Sequence, residues 1–516
     1  MNAMRTHRIV LIALFFLATG TLAAPRPERL DRIVDDAVQR YQLPGIAVGV
    51  VDNGEVLYTR TLGEREAGTG KKISRQSLFK IASNSKAMTA SLLARLVDAG
   101  KLRWDDPVVK HLPTFRMFDP WVTRNMQVRD LLVHNSGLPE GGGDLMLWPE
   151  PNRFTRADIL AGLGHIKPKY SFRAGYAYDN LLYVVAGEVA AAAGGASYEE
   201  LMRSQVFVPL GLDCRVGAWK SSVTDDIAQP HGHAKGRNVV ISADGDEVAG
   251  ITSAAAGGIR CSLDAMLRWA RTWLTPDAQQ KAWLSAEQRA AMWTGHTPMP
   301  ISARRRVWDN THAWLYALGF RLGDVDGEWT VSHTGTLSGM YSMMLLLPDR
   351  KSGFVFLING EADEARTVLG EALVKQFTAP DDARGIADFA ADLAADRVST
   401  TQHAAPDTAT RTSLTPAQLH GLLGVWRDPW FGDVAICADA QRVRFRSAKS
   451  PLMRGTLMQV GQRNLVDWGA EGVDAEAWLD FTTGDAPTMH MSKVDPQADF
   501  SFDYEDLAFA RVADCD

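Results

Sequence analysis

The sequence predicts an α+β protein in which an antiparallel sheet is flanked by helices, with an all-helical region, and is followed by a small all-β, barrel-like domain. Two observations predict this architecture. Strand-like runs at 46–62 and 329–359 enclose a helical middle, so distant segments complete one antiparallel sheet. From Leu414 onward, helical periods give way to short strand-like runs punctuated by Gly, Pro and Asp.

The first predicted elements are a helix and a hairpin. Arg26–Tyr41 has an amphipathic helical period, which Pro44-Gly45 ends. Asn53-Gly54 stands between two strand-like runs, 46–51 and 55–62, and is a typical hairpin turn. A helical and loop region follows from about residue 80 to 300, and then come strands at Trp329–His333, Met340–Leu347 and Gly353–Asn359 and a helix at Glu361–Phe377.

The N-terminus has the pattern of a secretory signal peptide, residues 1–23. Arg5 and Arg8 precede an apolar run at 9–17, and Thr21-Leu22-Ala23 offers small residues for cleavage. The apolar run is short for a membrane anchor, which needs about 20 residues. We therefore expect an exported protein, periplasmic or secreted, with no stable membrane span after signal cleavage.

The remaining chain divides into three predicted parts. Residues 24–380 form the first domain, and residues 414–516 form a C-terminal β-rich module. Residues 381–413 are interpreted as a linker because their later part is rich in Thr, Ala, Asp and Pro without an apolar period, although the early part can be helical.

Charge excludes nucleic acid as a partner. The 516 residues carry a formal net charge of −6, with 46% hydrophobic and 22% charged residues, which is ordinary for a globular protein. Residues 471–516 hold 12 acidic side chains against Lys493 and Arg511, and this end repels phosphate backbones.

The four cysteines allow three disulfide connectivities. Export permits disulfides, and we favour Cys437–Cys515, both in the C-terminal region, with Cys214–Cys261 as the complement; free buried thiols are the alternative. The scattered spacing argues against zinc. His231-Gly232-His233 lacks nearby Asp or Cys support and is interpreted as a polar loop, so we predict no metal site.

Ser83 and Lys86 are the most informative residues. They stand three positions apart, so on a helix they share a face and the amine can activate the hydroxyl as a nucleophile. Ser77 and Lys80 have the same spacing. Position favours Ser83 and Lys86, because a helical period runs from Ser83 to Ala99 and places Ser83 at the positive end of the helix dipole.

Tyr178 and Asn180 precede a second helical segment, Leu181–Ala193. A phenol near an ammonium group is expected to lose its proton more easily, because the positive charge favours the phenolate. Buried tyrosines with satisfied hydroxyls are common, however, and this is the structural alternative.

Residues His333, Thr334, Gly335 and Thr336 lie at the end of a predicted strand. A glycine there lets a substrate backbone approach closely, and the N–H of Thr336 could join that of Ser83 as an oxyanion hole. A plain turn at a strand end is the alternative. His134, in the helix end Leu131–Pro139, is interpreted as a structural hydrogen bonder.

The order Ser-x-x-Lys, Tyr-x-Asn and His-Thr-Gly resembles the penicillin-recognising serine hydrolases. This family includes class C β-lactamases, serine DD-carboxypeptidases, D-aminopeptidases and related esterases. The resemblance covers roughly residues 28–378 and includes segments around Gly100–Pro107, Leu131–Pro139 and Ala256–Ile259. The C-terminal segments Gly424–Gly432 and Asp499–Asp503 resemble a small β-module often appended to these hydrolases.

The resemblance implies a β-lactamase/transpeptidase-like fold and a set of roles. Ser83 attacks an acyl carbon, Lys86 keeps its hydroxyl reactive, and Tyr178 moves the proton to the leaving group and activates water. The other implied roles are an oxyanion hole of the Ser83 and Thr336 N–H groups, contact of Asn180 with the substrate's amide, and a cleft wall of His333, Thr334 and Gly335. No cofactor or metal is implied.

One departure bears on the substrate. A β-lactamase of this kind usually has Lys where His333 stands, and imidazole is mostly neutral near pH 7. We therefore expect an acyl-serine hydrolase of peptide amides or esters, with D-amino-acid peptides first. A class C-like β-lactamase, a broad carboxylesterase and a non-catalytic penicillin-binding sensor are the alternatives. Expected partners are a small peptide, ester or β-lactam substrate, with cell-wall material as a candidate partner of the module.

Overall fold

A computed structural model describes residues 24–222, 225–400, 405–469 and 473–515 of the chain. The predicted signal peptide, residues 1–23, lies outside the described residues. The first domain is built on an eight-stranded antiparallel sheet among these residues. In spatial order its strands are Thr297–Pro298, Trp314–Tyr316, Arg321–Val325, Glu328–Leu337, Met340–Leu347, Ser352–Ile358, Gly45–Asp52 and Glu55–Gly63.

Distant segments complete this sheet, as the sequence predicts. The strand Gly45–Asp52 pairs with Ser352–Ile358, with Ile46 opposite Ile358. Side chains alternate between the two faces of a strand, and here both faces are buried. Ile46, Val48 and Val50 pack in one apolar cluster, whereas Ala47 and Val51 pack in another.

Helices cover both faces of the sheet. The terminal helices Pro27–Tyr41 and Asp363–Thr378 contribute to the first of these clusters, and the helix Ser85–Asp98 contributes to the second. The α-helices of the described residues are Pro27–Tyr41, Ser85–Asp98, Val108–His111, Pro120–Asn125, Arg156–Gly162, Leu181–Gly194, Tyr198–Met202, Val208–Leu210, Ala254–Gly257, Leu263–Leu274, Ala278–Trp283, Ala286–Met292, Ala303–Trp308, Asp363–Thr378 and Ile386–Thr400.

The helix Ile386–Thr400 lies inside the segment 381–413 that the sequence analysis assigns to a linker. Its residues Ile386, Phe389, Ala390 and Leu393 are buried and recur at helical spacing. The ring of Phe389 lies 5.2 Å from that of Trp308. The first half of this segment therefore packs as part of the first domain.

The C-terminal domain is a closed barrel of eight antiparallel strands among the described residues, which confirms the predicted all-β domain. The strand Arg454–Val460 pairs with Arg442–Ser447 on one side and with Arg463–Asp467 on the other, and this pairing closes the barrel. The remaining barrel strands are Gly424–Asp428, Gly432–Asp439, Ala477–Phe481, Thr488–Lys493 and Ala508–Ala513, and Thr412–Ser413 adds a short outer strand. Buried Trp426, Ile436 and Phe445 contribute to its core.

Short strands pair outside the main sheet and the barrel. Phe79–Lys80, Arg260–Cys261 and Cys214–Arg215 form one small sheet. Two further antiparallel pairs are Trp219–Lys220 with Glu247–Val248, and the hairpin of His231–Ala234 with Arg237–Val240. Both favoured disulfides, Cys214–Cys261 and Cys437–Cys515, are present.

The predicted polar loop at His231-Gly232-His233 is instead a strand with a buried histidine. Its Nδ1 lies 2.7 Å from the Asn359 carbonyl oxygen and its Nε2 accepts from the Ala67 N–H at 3.0 Å. Within the described ranges, no cluster of three His, Cys, Asp or Glu side chains could hold a metal ion. In the same ranges no single helix could span a membrane, and only the bent pair Leu181–Gly194 and Tyr198–Leu210 reaches the length and apolarity required.

Candidate active site

Ser83 lies in a 3₁₀ turn, Ala82–Asn84, that leads into the helix Ser85–Asp98. The turn begins with a positive φ of 48° at Ala82, a conformation that an L-residue adopts only when its surroundings hold it. The surroundings do so, because the N–H of Ile81 donates to Ile259 at 3.0 Å and Ser342 Oγ donates to the Ile81 carbonyl at 2.7 Å. Ser83 is therefore presented half-buried while its neighbours are fully covered.

The structure brings Ser83, Lys86 and Tyr178 together. Lys86 Nζ lies 3.1 Å from Ser83 Oγ, and the Tyr178 hydroxyl donates to the same oxygen at 2.8 Å. Lys86 is completely buried and also donates to the Ala256 carbonyl at 3.0 Å. The hydroxyl thus contacts an amine from three residues further along the chain and a phenol from 95 residues away.

Burial sets the charge of Lys86. Removal from water disfavours the ammonium form and lowers the pKa of Lys86 to about 7, although the Asp144 carboxylate opposes this shift. A substantial fraction of the amine is therefore neutral at neutral pH. A neutral amine 3.1 Å from a hydroxyl can accept its proton.

Burial has the opposite effect on the phenol. It raises the pKa of Tyr178 to about 12, and Arg321 only partly opposes this. The expectation that the nearby amine eases loss of the phenolic proton is therefore wrong for the resting site, where Tyr178 is a proton donor. The ring of His134 lies 4.3 Å from that of Tyr178, and His134 Nδ1 accepts from the Asp179 N–H at 3.1 Å, which fits its predicted structural role.

Asn180 holds the lysine. Its Oδ1 accepts from Lys86 Nζ at 2.7 Å, and its Nδ2 donates to Asp144 Oδ2 at 2.8 Å. Asn180 is only 4% exposed. Both ends of the Asn180 amide thus contact protein groups, a role that the sequence analysis did not predict, while Nδ2 keeps a second N–H. The contact with the substrate's amide stays a prediction.

His333 is also enclosed rather than lining the cleft. It is 0% exposed, its Nε2 lies 2.8 Å from the Tyr316 hydroxyl, and its Nδ1 lies 2.6 Å from the Thr334 carbonyl oxygen. Burial lowers the pKa of His333 well below its usual value, so the imidazole is neutral. The predicted contact with the polar end of a substrate does not fit this placement.

Gly335 and Thr336 belong to the strand Glu328–Leu337, not to a turn after it. A Cβ on Gly335 would lie 2.3 Å from the Ile81 carbonyl oxygen. The absence of a side chain at Gly335 therefore lets this strand lie close to the turn that carries Ser83. The sequence alone explains this glycine only by the approach of a substrate backbone. Arg366 donates to the Gly335 carbonyl at 3.1 Å and also contacts the hydroxyl of Thr336.

Sequence reasoning missed Arg321. It lies on the neighbouring strand opposite Ser332, and its guanidinium donates to Thr334 Oγ1 at 2.8 Å. In the part of the chain that the structure describes, its buried Nε has no hydrogen-bond partner. No local motif marks Arg321; only its pairing with the His333 strand could have identified it.

Asp144 was missed as well. It is 0% exposed and accepts from Asn180 and from Ser501 of the barrel domain, each at 2.8 Å. Burial raises the pKa of Asp144 well above its usual value, and both donors oppose the shift. Nothing in the local sequence distinguishes Asp144 from a surface acid, because its partners come from remote segments.

Proteins with similar sequences include one named as a hydrolase and one named as a penicillin-binding protein. The chain is 26% identical over 370 residues to unguisins hydrolase ungD′ of Aspergillus campestris, covering 68% of this chain and 64% of that protein. It is 27% identical over 352 residues to penicillin-binding protein 4 of Amycolatopsis lactamdurans, covering 64% and 86%. The chain thus spans less than two thirds of the first relative's length.

Structural comparison extends over both domains. The octameric penicillin-binding protein homologue from Pyrococcus abyssi matches 94% of this chain and 99% of its own, with a TM-score of 0.57 and 17% identity, which shows a shared fold. The Beta-lactamase family profile matches residues 30–378. This match covers most of the chain, and Ser83, Lys86 and Tyr178 contact one another within the matched residues. The chain therefore belongs to the β-lactamase family of serine hydrolases and penicillin-binding proteins.

Proposed function

We propose that this protein hydrolyses amide or ester bonds through an acyl-serine intermediate on Ser83. The observation that carries the proposal is the double contact of Ser83 Oγ, with Lys86 Nζ at 3.1 Å and the Tyr178 hydroxyl at 2.8 Å. A serine hydroxyl is a weak nucleophile until an adjacent base can take its proton. The lowered pKa of Lys86, about 7, makes that amine the base.

Acylation then moves two protons. Ser83 Oγ forms a bond to the acyl carbon while its proton passes to neutral Lys86, and the negative charge goes to the carbonyl oxygen. As the tetrahedral species collapses, Tyr178 gives its proton to the leaving amine or alcohol, and the ammonium of Lys86 restores the phenol. Water repeats the sequence on the acyl-serine and releases the acid. The N–H groups of Ser83 and Thr336 are proposed to bind the oxyanion.

The position of Arg321 favours a substrate that carries a carboxylate beside the scissile bond. Its guanidinium is fixed on Thr334 at 2.8 Å, and a carboxylate could pair with its remaining donors. His333, buried and neutral, cannot supply that charge. A peptide ending in a free carboxylate, with D-amino-acid peptides first, fits this site. A β-lactam carries the same group and is the second candidate.

The names of the relatives support hydrolysis or penicillin recognition in general. We extend the proposal to cellular location: the protein is exported to the periplasm or the medium. The two disulfides support this, because disulfides persist in oxidising compartments. Cell-wall peptides are then an accessible source of substrate. Detection of the protein only in the cytoplasmic fraction of its cells would contradict export.

The test uses mature protein, Ser83→Ala and the matched control Ser77→Ala. Each is incubated with a D-Ala-D-Ala peptide, a fluorescent penicillin and a p-nitrophenyl acyl ester. We expect wild type and Ser77→Ala to release D-alanine, and Ser83→Ala to be inactive on every substrate. Ester release without peptide cleavage indicates an esterase, rapid penicillin turnover a β-lactamase, and a stable label without turnover a sensor. Activity retained in Ser83→Ala contradicts the proposal.

A further inference from the structure

A segment of the barrel domain, Asp499–Asp503, reaches the active site of the first domain. The ring of Phe500 meets the ring of Tyr178 edge-on, with 5.8 Å between centroids. Gly141 lies directly beneath it, because a Cβ there would be 2.7 Å from Phe500 Cδ2. The N–H of Gly141 in turn donates to the Tyr178 carbonyl at 2.8 Å.

Asp503 anchors this segment. Its carboxylate accepts from the N–H of Gly143 at 2.6 Å and from the N–H of Leu145 at 3.0 Å. Asp503 is only 4% exposed, and hydrogen bonds to a buried carboxylate are among the stronger ones in proteins. The two amides flank Asp144, so the anchor fixes the barrel segment at that residue.

Ser501 then connects the barrel to the catalytic lysine. Its Oγ donates at 2.8 Å to Asp144 Oδ2, and the same oxygen accepts from Asn180 Nδ2 at 2.8 Å. Asn180 Oδ1 accepts from Lys86 Nζ at 2.7 Å. Three consecutive hydrogen bonds therefore lead from the barrel domain to the amine that contacts Ser83.

We propose that the barrel domain contributes to the active site. In this proposal Ser501 is a positioning residue that holds Lys86 in place through Asp144 and Asn180. The inference rests on the proposed role of Lys86 as base. It assigns the C-terminal domain a function in catalysis, whatever else that domain binds.

The physical effect follows from charge. The Ser501 hydroxyl favours the ionised form of Asp144, and an ionised Asp144 orients the Asn180 amide and raises the basicity of Lys86. Loss of the hydroxyl therefore makes Asp144 neutral more readily and lowers the basicity of Lys86. The other titratable or charged groups near Lys86 or Asp144 are not substituted in Ser501→Ala. They are Asp179, Asp503, Tyr178, Tyr183, His134, His333 and Arg321.

The experiment compares full-length Ser501→Ala with Ser501→Thr, which keeps the hydroxyl. Ser450→Ala is the matched control, since Ser450 is a buried barrel serine whose hydroxyl has no partner among the described residues. We expect Ser501→Ala to lower kcat on the order of 10-fold with little change in KM, and to move the acid limb of the pH–kcat profile to lower pH. Ser501→Thr and Ser450→Ala should match wild type in both respects.

A double-mutant cycle with Asp144→Asn tests the connection itself. If Ser501 acts through Asp144, Ser501→Ala adds no further pH shift once Asp144 is replaced. Phe500→Ala, which removes the barrel side chain that meets the Tyr178 ring, disturbs the same segment without changing the first domain and should also reduce kcat. An unchanged profile in Ser501→Ala and unchanged kcat in Phe500→Ala would overturn the inference. Ser83→Ala run in parallel separates this outcome from failure of the proposed function.

Discussion

Two serine–lysine pairs with identical spacing lie close together in this chain, and their hydroxyl groups have different surroundings. Ser83 is half-buried, and its hydroxyl contacts Lys86 and Tyr178. Ser77 is completely buried, accepts from the Ser74 N–H at 2.8 Å and donates to Asp226 at 2.5 Å. The Ser77 hydroxyl is engaged with a carboxylate and cannot reach a substrate.

The difference teaches that spacing alone does not make a nucleophile. The pair at Ser83 spans a 3₁₀ turn and the start of a helix, so the lysine folds back beside the hydroxyl. The pair at Ser77 leads instead into the two-residue strand Phe79–Lys80, where side chains alternate between faces. The predictions below test this contrast, beginning with the largest effect.

Removal of the active-site amine should have the largest consequence. Lys86→Met preserves volume but leaves Ser83 without a base, and we expect acylation to slow by roughly 10⁴-fold or more. The control is Lys80→Met at the equivalent position of the other pair, which should remain within a few-fold of wild type. Burst kinetics with a p-nitrophenyl ester measure both. Equal losses in the two variants would remove the distinction between the pairs.

Removal of the phenol should have the next largest effect. Tyr178→Phe keeps the ring against His134 but removes the proton donor to Ser83, and we expect turnover to fall by about 10²–10⁴. Tyr198→Phe is a matched control, because that buried hydroxyl contacts Thr89 instead. Steady-state rates on an amide substrate distinguish the two. An unchanged rate in Tyr178→Phe would place the proton transfer elsewhere.

The pH dependence of acylation should identify the amine. The pKa of Lys86 is lowered to about 7, and only the neutral amine accepts a proton. The rate should therefore rise with pH through about 7 and level off above it. Asp144→Asn removes a carboxyl group whose ionised form raises the pKa of Lys86, so the limb of this variant should lie at lower pH. A limb that stays in place in Asp144→Asn, or the absence of a limb near 7, would argue against Lys86 as the base.

The smallest effect is expected on stability. Ser77→Ala removes a buried hydroxyl bonded to Asp226, which should cost about 1–3 kcal/mol of the free energy of unfolding. Catalytic rates of the folded variant should remain at the wild-type level. Denaturant melts with parallel ester assays separate these two readouts. Loss of activity without loss of stability would mean that Ser77 has a chemical role.

The local sequence pattern was sufficient to predict much of the fold and the three residues that meet at the candidate active site. Ser83, Lys86 and Tyr178 stand beside the starts of helices, where periodicity and turn residues mark them. The predicted roles of Asn180 and His333 required knowledge of burial, which depends on the rest of the fold. Their side chains turn inward, to Lys86 and to Tyr316.

Contacts between the domains could not be predicted at all. Ser501 meets Asp144 across more than 350 residues of sequence, and neither residue stands in a pattern that indicates the other. The contact of Arg321 with Thr334 also could not be predicted, although the two residues are close in sequence, because it depends on the register of two strands. Contacts like that of Ser501 depend on how the two domains pack against each other, and the local periodicity of neither domain indicates this packing.

Mapping of the acylated residue tests the central claim most directly. The protein is mixed with a p-nitrophenyl acyl ester or a fluorescent penicillin, quenched in acid and digested with trypsin. Cleavage after Arg75, Lys80 and Lys86 separates Ser77, in peptide 76–80, from Ser83, in peptide 81–86. The account predicts the acyl group on peptide 81–86, assigned to Ser83 by fragmentation. An acyl group on Ser77 or Ser85, or turnover with neither peptide ever labelled, would contradict it.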